Sequence, residues 1–325
     1  MSERTVRPRR WLFWVKALVS AGLLGALVAR MVQKDGVELL LERLAGLHAG
    51  WLALAVALHF AAVFAGVSRW RLLLDGAGLR LGYPRLLRSF LVGRFVGAFT
   101  PSTTGLDGWR LYDVGRESGA MARSAAVIAI EKLVGLVGMA VVCAGLIPFG
   151  GIDAMGPTAP VMAAAMALGA ALGLYGIRRP AWLGAIVRRV PWARARAAGE
   201  RVVEALGASG LDGRRAGGAI ALGIGSHLAL SAVFFATARA IGVDASAATL
   251  LVTGNAITLA VLLPVSVGGV GVREGVAVVL LAGVGVASTD AVLVALLGYL
   301  TGQVPALLGG VLTLAGRRGE VPSAA

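Results

Sequence analysis

The sequence predicts an all-helical, polytopic membrane protein on three observations. Of its 325 residues, 58% are hydrophobic and only 15% are charged, and the mean hydropathy is +0.82. A soluble fold of this size cannot bury that much apolar surface, and a disordered chain has the opposite composition. The charged residues lie between apolar runs about as long as a membrane crossing, which takes about 20 residues.

Six apolar runs are long enough for full transmembrane helices, and two shorter runs end in motifs rich in proline and glycine. The first run follows four arginines and is longer than the apolar core of a signal peptide, so we expect it to be retained. The shorter runs are residues 86–100 and 246–264. The full spans are predicted at residues 11–31, 51–68, 124–147, 158–177, 219–241 and 291–315.

The arginine distribution predicts the topology, because basic residues are enriched in cytoplasmic segments. Both termini and the segments 69–88, 103–123 and 178–218 are basic, and we place them in the cytoplasm of a bacterial inner membrane. The turn 148–157 has no Lys or Arg and is predicted to be outside.

This assignment makes both shorter apolar runs re-entrant. Segments 69–88 and 103–123 lie on the same predicted side, so the run 86–100 must enter the membrane and return. The same argument makes 246–287 enter from the outside and return. Irregular backbone at membrane depth is tolerated where it is buried in protein or lines a wet cavity.

Both re-entrant segments share the spacing P-x3-G-x2-G-x-R, which begins at Pro101 and again at Pro264, 163 residues later. We therefore predict one membrane domain, residues 1–325, built as an inverted repeat like those of many secondary transporters. Residues 1–157 form the first repeat, 158–318 the second, and 319–325 a disordered tail. The alternative is that proline and glycine merely break helices in a packed bundle.

The repeated motif suits a lipid phosphate. Proline ends a helix, the free N–H groups at the start of the next helix attract anions, and arginine offers a bidentate donor. The alternative is that each arginine pairs locally, Arg110 with Asp107 and Arg273 with Glu274, and only holds the fold. The predicted phosphate-binding residues are Pro101, Ser102, Gly105, Asp107, Arg110, Pro264, Ser266, Gly269, Gly271, Arg273 and Glu274.

Further polar residues lie at membrane depth, where charges are costly and face the protein interior or water. Arg94, Glu131 and Lys132 form a predicted intramembrane charge network, in which Arg94 pairs with Glu131 and Lys132 reaches toward the interface. His59 and His227 are a candidate proton relay, or each hydrogen-bonds a neighbouring helix. We expect no cofactor and no metal site.

The motifs resemble the lysylphosphatidylglycerol synthase transmembrane family, the flippase-like membrane proteins, over nearly the whole chain. In two-domain members, this part is held to flip an aminoacylated phospholipid that a soluble domain makes, and stand-alone members are thought to move other lipids or polyprenyl-linked glycans. The chain has Leu106 where the family tends to have glycine, and Lys132 where it usually has arginine. The residues that carry the resemblance are Trp70-Arg71, Pro101-Ser102, Gly105, Asp107, Arg110, Glu131-Lys132, Pro264, Ser266, Gly269, Gly271 and Arg273-Glu274-Gly275.

We therefore expect a lipid translocator rather than an enzyme, one that moves a phospholipid or polyprenyl-phosphate-linked lipid between leaflets. The alternatives are a membrane-embedded enzyme or accessory subunit of a lipid-modifying or glycosyl-transfer system, and a regulatory scaffold. The net charge of +14 points to lipids with anionic headgroups as partners, not to nucleic acid. A lipid-modifying enzyme is a candidate partner, and the oligomeric state is left open.

Overall fold

The computed structural model describes residues 41–98, 100, 104–150, 159–208, 212–262 and 269–318, with six isolated positions between 22 and 38. Every regular element in these ranges is a helix, so the predicted all-helical class is confirmed. The predicted span 11–31 and the tail 319–325 lie almost entirely outside the described residues.

Eleven α-helices have their bounds within these ranges, and residues 41–45 are also helical. A short 3-10 turn, Ile147–Phe149, continues the fourth of them. In chain order the helices are α1 (Ala49–Gly76), α2 (Tyr83–Ala98), α3 (Thr104–Ser118), α4 (Met121–Leu146), α5 (Ala159–Arg178), α6 (Pro180–Val187), α7 (Ala193–Ala208), α8 (Gly213–Ala240), α9 (Ala247–Leu262), α10 (Val272–Ala282) and α11 (Ser288–Arg318).

Four of these helices, α1, α4, α8 and α11, are long and apolar enough to cross a membrane. They coincide with four of the six predicted full spans, and the protein is therefore a multi-pass membrane protein. A fifth predicted span, 158–177, coincides with α5, whose apolar part, Ala167–Gly176, is shorter.

The predicted first re-entrant segment is an antiparallel helical hairpin, α2–α3. A Cβ added at Gly93 or at Gly97 would press against Leu106, so the two helices lie close together beside the break. At the other end, Arg85 binds Asp113 with two hydrogen bonds of 2.7 and 2.8 Å. The chain therefore enters and leaves this hairpin at the same end.

The second interrupted segment, α9 and α10, turns at two glycines with positive φ. Gly269 has a φ of 76° and Gly271 a φ of 84°, values that residues with a Cβ rarely adopt. A Cβ at Gly269 would also press against Val261 in α9. The sequence motif thus places glycine where the chain turns back toward α9.

The main helix contacts keep their pattern when α1–α4 are exchanged with α8–α11. The first helices of the two sets, α1 and α8, pack extensively on each other. Every other main contact between two of these eight helices has an equivalent under the exchange. The equivalent contacts are α1·α2 and α8·α9, α2·α3 and α9·α10, α3·α4 and α10·α11, α2·α11 and α4·α9, α4·α8 and α1·α11, and α1·α4 and α8·α11.

Candidate functional site

Charged residues of the first half meet where α1, α3 and α4 pack together. Arg110 in α3 donates from Nη1 to Glu131 Oε2 in α4 at 2.7 Å. Arg69 in α1 donates from Nη2 to Glu131 Oε1 at 3.2 Å. One carboxylate therefore binds two guanidinium groups that come from two other helices.

Arg110 is the most enclosed member of this group, with only 3% of its surface exposed. Its Nη2 donates to Asp107 Oδ1 at 2.6 Å. Its Cζ lies 4.8 Å from the centroid of the Trp70 ring and 5.1 Å from that of Phe90. Aromatic faces stabilise a desolvated cation, so Arg110 is held by two carboxylates and two rings at once.

Lys132 extends the group toward the surface. Its Nζ lies 2.6 Å from Asp107 Oδ2, and about half of its side chain, 49%, is exposed. We call Arg69, Asp107, Arg110, Glu131 and Lys132 the buried charge cluster. It holds three cations and two carboxylates, a net charge of +1.

The predicted Arg94–Glu131 pair is wrong. Both carboxylate oxygens of Glu131 bind other arginines. Arg94 instead donates from Nη2 to the carbonyl oxygen of Gly302 in α11, at 3.2 Å. The physical reason is the direction of α2: it presents Arg94 to α11, while Glu131 faces α1 and α3.

Arg69 is a site residue that the sequence analysis missed, because the predicted span ended at residue 68 and left Arg69 in a cytoplasmic segment. In the structure α1 continues to Gly76, which brings Arg69 beside Glu131. The sequence did contain a signal for the longer helix. Helices end preferentially at or near glycine or proline, and residues 69–75 contain neither, so the helix was free to continue to Gly76.

The second predicted site is built within α10. Glu274 Oε2 accepts a hydrogen bond of 2.6 Å from the N–H of Gly271 and so caps the start of the helix. Arg273 Nε lies 3.5 Å from Glu274 Oε1, and its Cζ lies 3.9 Å from the centroid of the Tyr299 ring in α11. Arg273 is 6% exposed.

Both arginines of the repeated motif therefore form the local pairs that the sequence analysis named as the alternative to phosphate binding. A phosphate at Arg110 would have to displace a carboxylate, since both of its terminal nitrogens bind one. The phosphate-binding role of both arginines stays a prediction. Pro101, Ser102, Pro264 and Ser266 lie outside the described residues.

Gly105 lies where α2 and α3 meet. An added Cβ there would overlap the hydroxyl of Thr100 and lie 2.9 Å from the Cα of Gly97. The close packing at this break therefore requires a glycine.

Each histidine contacts the long helix of the opposite half. His59 in α1 hydrogen-bonds the carbonyl oxygen of Gly298 in α11 at 3.0 Å. His227 in α8 packs against Gly135 in α4, where its Nε2 would lie 3.8 Å from an added Cβ. The two glycines are 163 residues apart, the separation of the two proline motifs. The proton relay stays a prediction.

These features define an all-helical, multi-pass membrane protein with a charge cluster enclosed between its helices. The family described as the lysylphosphatidylglycerol synthase TM region matches residues 13–310. The chain therefore belongs to that family, and the resemblance drawn from its motifs is confirmed. Comparison with curated proteins gives no match.

Proposed function

We propose that the protein is a lipid translocator that moves a phospholipid or polyprenyl-phosphate-linked lipid between the leaflets of a bacterial inner membrane. The main observation behind this proposal is the buried charge cluster. Its five ionisable side chains lie beside the first interrupted segment, on α1, α3 and α4, and two of these helices are long enough to span a membrane. Such groups are costly within a membrane and mark the pathways of polar or charged substrates. Membership in a family named for a lipid synthase supports a lipid as the substrate.

An inverted repeat is part of this proposal. The exchange of α1–α4 with α8–α11 supports it, because each main contact between two of these helices has an equivalent, although of different extent. The equivalent contacts of His59 with Gly298 and of His227 with Gly135 support it further, because the same separation of 163 residues relates the two glycines and the two motifs. In transporters of this plan, substrates bind near the interrupted helices.

The topology of the proposal has cytoplasmic termini and two re-entrant hairpins. The common end of α2 and α3, where Arg85 binds Asp113, is rich in charge and supports entry and exit from the cytoplasmic side. The proposed partners are lipids with anionic headgroups, which the basic segments attract, and a lipid-modifying enzyme that supplies or consumes the lipid.

Proteoliposomes test the translocator directly. The purified full chain is reconstituted with headgroup-labelled phosphatidylglycerol, and a membrane-impermeant reductant bleaches the label in the outer leaflet. We expect bleaching of the inner-leaflet pool at a rate above that of protein-free vesicles. Bleaching that stops at the outer-leaflet fraction, for this lipid and for a polyprenyl phosphate, would overturn the proposal.

The same vesicles separate the translocator from an enzyme. Lipids extracted after the assay are compared by mass with the starting lipids. A translocator leaves every mass unchanged, whereas a membrane-embedded transferase changes the mass of its lipid substrate. A mass change without movement between leaflets favours the enzymatic alternative.

A further inference from the structure

Arg94 differs from the other cations that face the interior of the helix bundle. Arg69, Arg110 and Arg273 each have a carboxylate partner, as does Lys132. No ion pair among the described residues includes Arg94. Its hydrogen bond is to the carbonyl oxygen of Gly302. Its Nε has no hydrogen-bond partner, as is also the case for Arg69 and Arg110, so the missing carboxylate is what sets Arg94 apart.

Arg94 as a whole residue is less enclosed than the motif arginines, although its Nε is buried. Arg110 and Arg273 are 3% and 6% exposed, whereas Arg94 is half-buried. A ligand that reaches Arg94 has no ion pair to separate. At Arg110 it would have to displace Asp107 or Glu131.

The helix α11 shapes the surroundings of Arg94. A Cβ at Gly309 would overlap the carbonyl of Leu91, and one at Gly310 would press on Phe95, so α2 lies against a glycine face of α11. Pro305 has no N–H to donate to the carbonyl oxygen of Thr301, the residue before Gly302. Arg94 therefore reaches a stretch of α11 that lies close to α2 and lacks one helical hydrogen bond.

His59 faces the same stretch from α1. Its Nε2 donates to the carbonyl oxygen of Gly298, and its ring lies against Gly302, the residue whose carbonyl oxygen Arg94 binds. Because Nε2 donates, Nδ1 is an acceptor, and this buried atom has no hydrogen-bond partner. A buried donor without a partner on Arg94 and a buried acceptor without a partner on His59 thus lie beside residues 298–302.

Buried polar atoms without partners are rare in folded proteins and indicate a missing ligand or water. An anion with a hydroxyl or a protonated oxygen suits both atoms, because a guanidinium at membrane depth without a counter-ion is costly and the His59 Nδ1 acceptor needs a donor. Arginine matches the planar, bidentate geometry of phosphate oxygens. We propose that Arg94, beside His59 and residues 298–302 of α11, binds the phosphate group of the transported lipid. This inference rests on the proposed function.

Binding to the purified full chain, measured by native mass spectrometry, tests the proposal. The probes are phosphatidylglycerol and diacylglycerol with the same acyl chains, which differ by the phosphoglycerol headgroup. We expect Arg94→Gln to lose affinity for phosphatidylglycerol by roughly 10- to 150-fold, as for a lost charge-assisted hydrogen bond, with diacylglycerol binding unchanged. Arg88→Gln removes an exposed arginine from the same helix and should bind both lipids as the parent chain does.

Thermal melting separates a ligand role from a structural one. Arg94→Gln removes a charge without a counter-ion, so its melting temperature should equal or exceed that of the parent chain. If Arg94→Gln does not fold, Arg94→Lys replaces it and should bind phosphatidylglycerol more weakly than the parent chain. Parent-like phosphatidylglycerol binding by Arg94→Gln, or by Arg94→Lys in its place, overturns the inference. Failure of both variants to fold overturns it as well, because Arg94 is then structural.

Competition by inorganic phosphate identifies the source of the phosphate group. Phosphatidylglycerol that stays bound in excess inorganic phosphate supports a lipid headgroup at Arg94, whereas inorganic phosphate bound alone in an Arg94-dependent manner overturns the lipid and leaves a free anion. The same variants distinguish failure of this inference from failure of the proposed function. Arg94-dependent lipid binding without movement between leaflets overturns translocation alone, and unchanged translocation by Arg94→Gln overturns this inference alone.

Discussion

Glu131 and Arg110 form an ion pair in which both side chains are enclosed, with 5% and 4% of their surfaces exposed and 2.7 Å between Oε2 and Nη1. The pair joins α4 to α3, and the second oxygen of Glu131 joins α4 to α1 through Arg69. One carboxylate thus fixes three helices around the first interrupted segment.

Replacing Glu131 by Gln should destabilise the protein by about 3–5 kcal/mol, because buried Arg110 and Arg69 lose their shared counter-ion. Adding Arg69→Gln should recover part of that loss by removing one uncompensated charge. Adding Arg94→Gln instead should change stability only as much as Arg94→Gln does in the parent chain, since Arg94 does not contact Glu131. Thermal unfolding of the two double variants and of each single variant in detergent decides between these partners. Recovery by Arg94→Gln beyond its effect in the parent chain, with none by Arg69→Gln, would restore the pairing that the sequence suggested.

Arg110→Lys should cost about 1.5–3 kcal/mol of stability, the range for a hydrogen bond to a charged group. Lysine keeps the charge but cannot bridge Asp107 and Glu131 while stacking on Trp70. The matched control is Arg116→Lys in the same helix, where the side chain is exposed. Melting temperatures of both variants measure the effect, and equal values for the two would contradict the bridging role.

Gly309→Ala should destabilise the protein, because the new Cβ would overlap the carbonyl of Leu91 and push α2 from α11. Overpacking of this kind costs about 1–3 kcal/mol. Gly225→Ala in α8 is the control: no atom lies within 4 Å of its added Cβ, so alanine should stabilise that helix by up to about 1 kcal/mol. A melting temperature of Gly309→Ala at or above that of the parent would refute close packing of α2 on α11.

Cysteine labelling tests the proposed topology in a Cys143→Ser background, since Cys143 is the only cysteine. Arg116→Cys lies on the exposed surface of α3 and should react with an impermeant maleimide from the cytoplasmic side only. Phe149→Cys, at the exposed end of α4, should react from the outside only. Labelling of position 116 from the outside only would remove the re-entrant hairpin from the proposal.

The apolar runs predicted the four described membrane spans. An apolar helix of this length is stable in lipid whichever other helices it packs against, so its position depends only on the local sequence. They did not predict the end of α1, since α1 stays helical through Arg69 to Gly76, where the apolar run has ended. Of the described motif glycines, Gly271 marks a turn, because its φ is positive, whereas Gly105 and Gly108 lie inside α3.

The partners of the charged residues could not be predicted in the same way. Arg94 and Glu131 are nearer to each other in the sequence than Arg69 and Glu131 are, yet Arg69 makes the contact. That choice depends on which face of each helix meets which neighbour. Sequence separation carries no information on such rotations, whereas the Arg110–Asp107 pair follows from a spacing of three residues on one helix.

The two interrupted segments are anchored differently. Arg110 and Lys132 join α3 and α4 through ion pairs, whereas the ion pair of Arg273 lies within α10 and its link to α11 is the ring of Tyr299. The link from the first interrupted segment to the next helix is therefore electrostatic, and any change of charge at Asp107, Arg110, Glu131 or Lys132 should weaken it. The corresponding link in the second half is a cation stacked on an aromatic ring, so it should respond to a change in the ring of Tyr299 rather than to the loss of a carboxylate on α11.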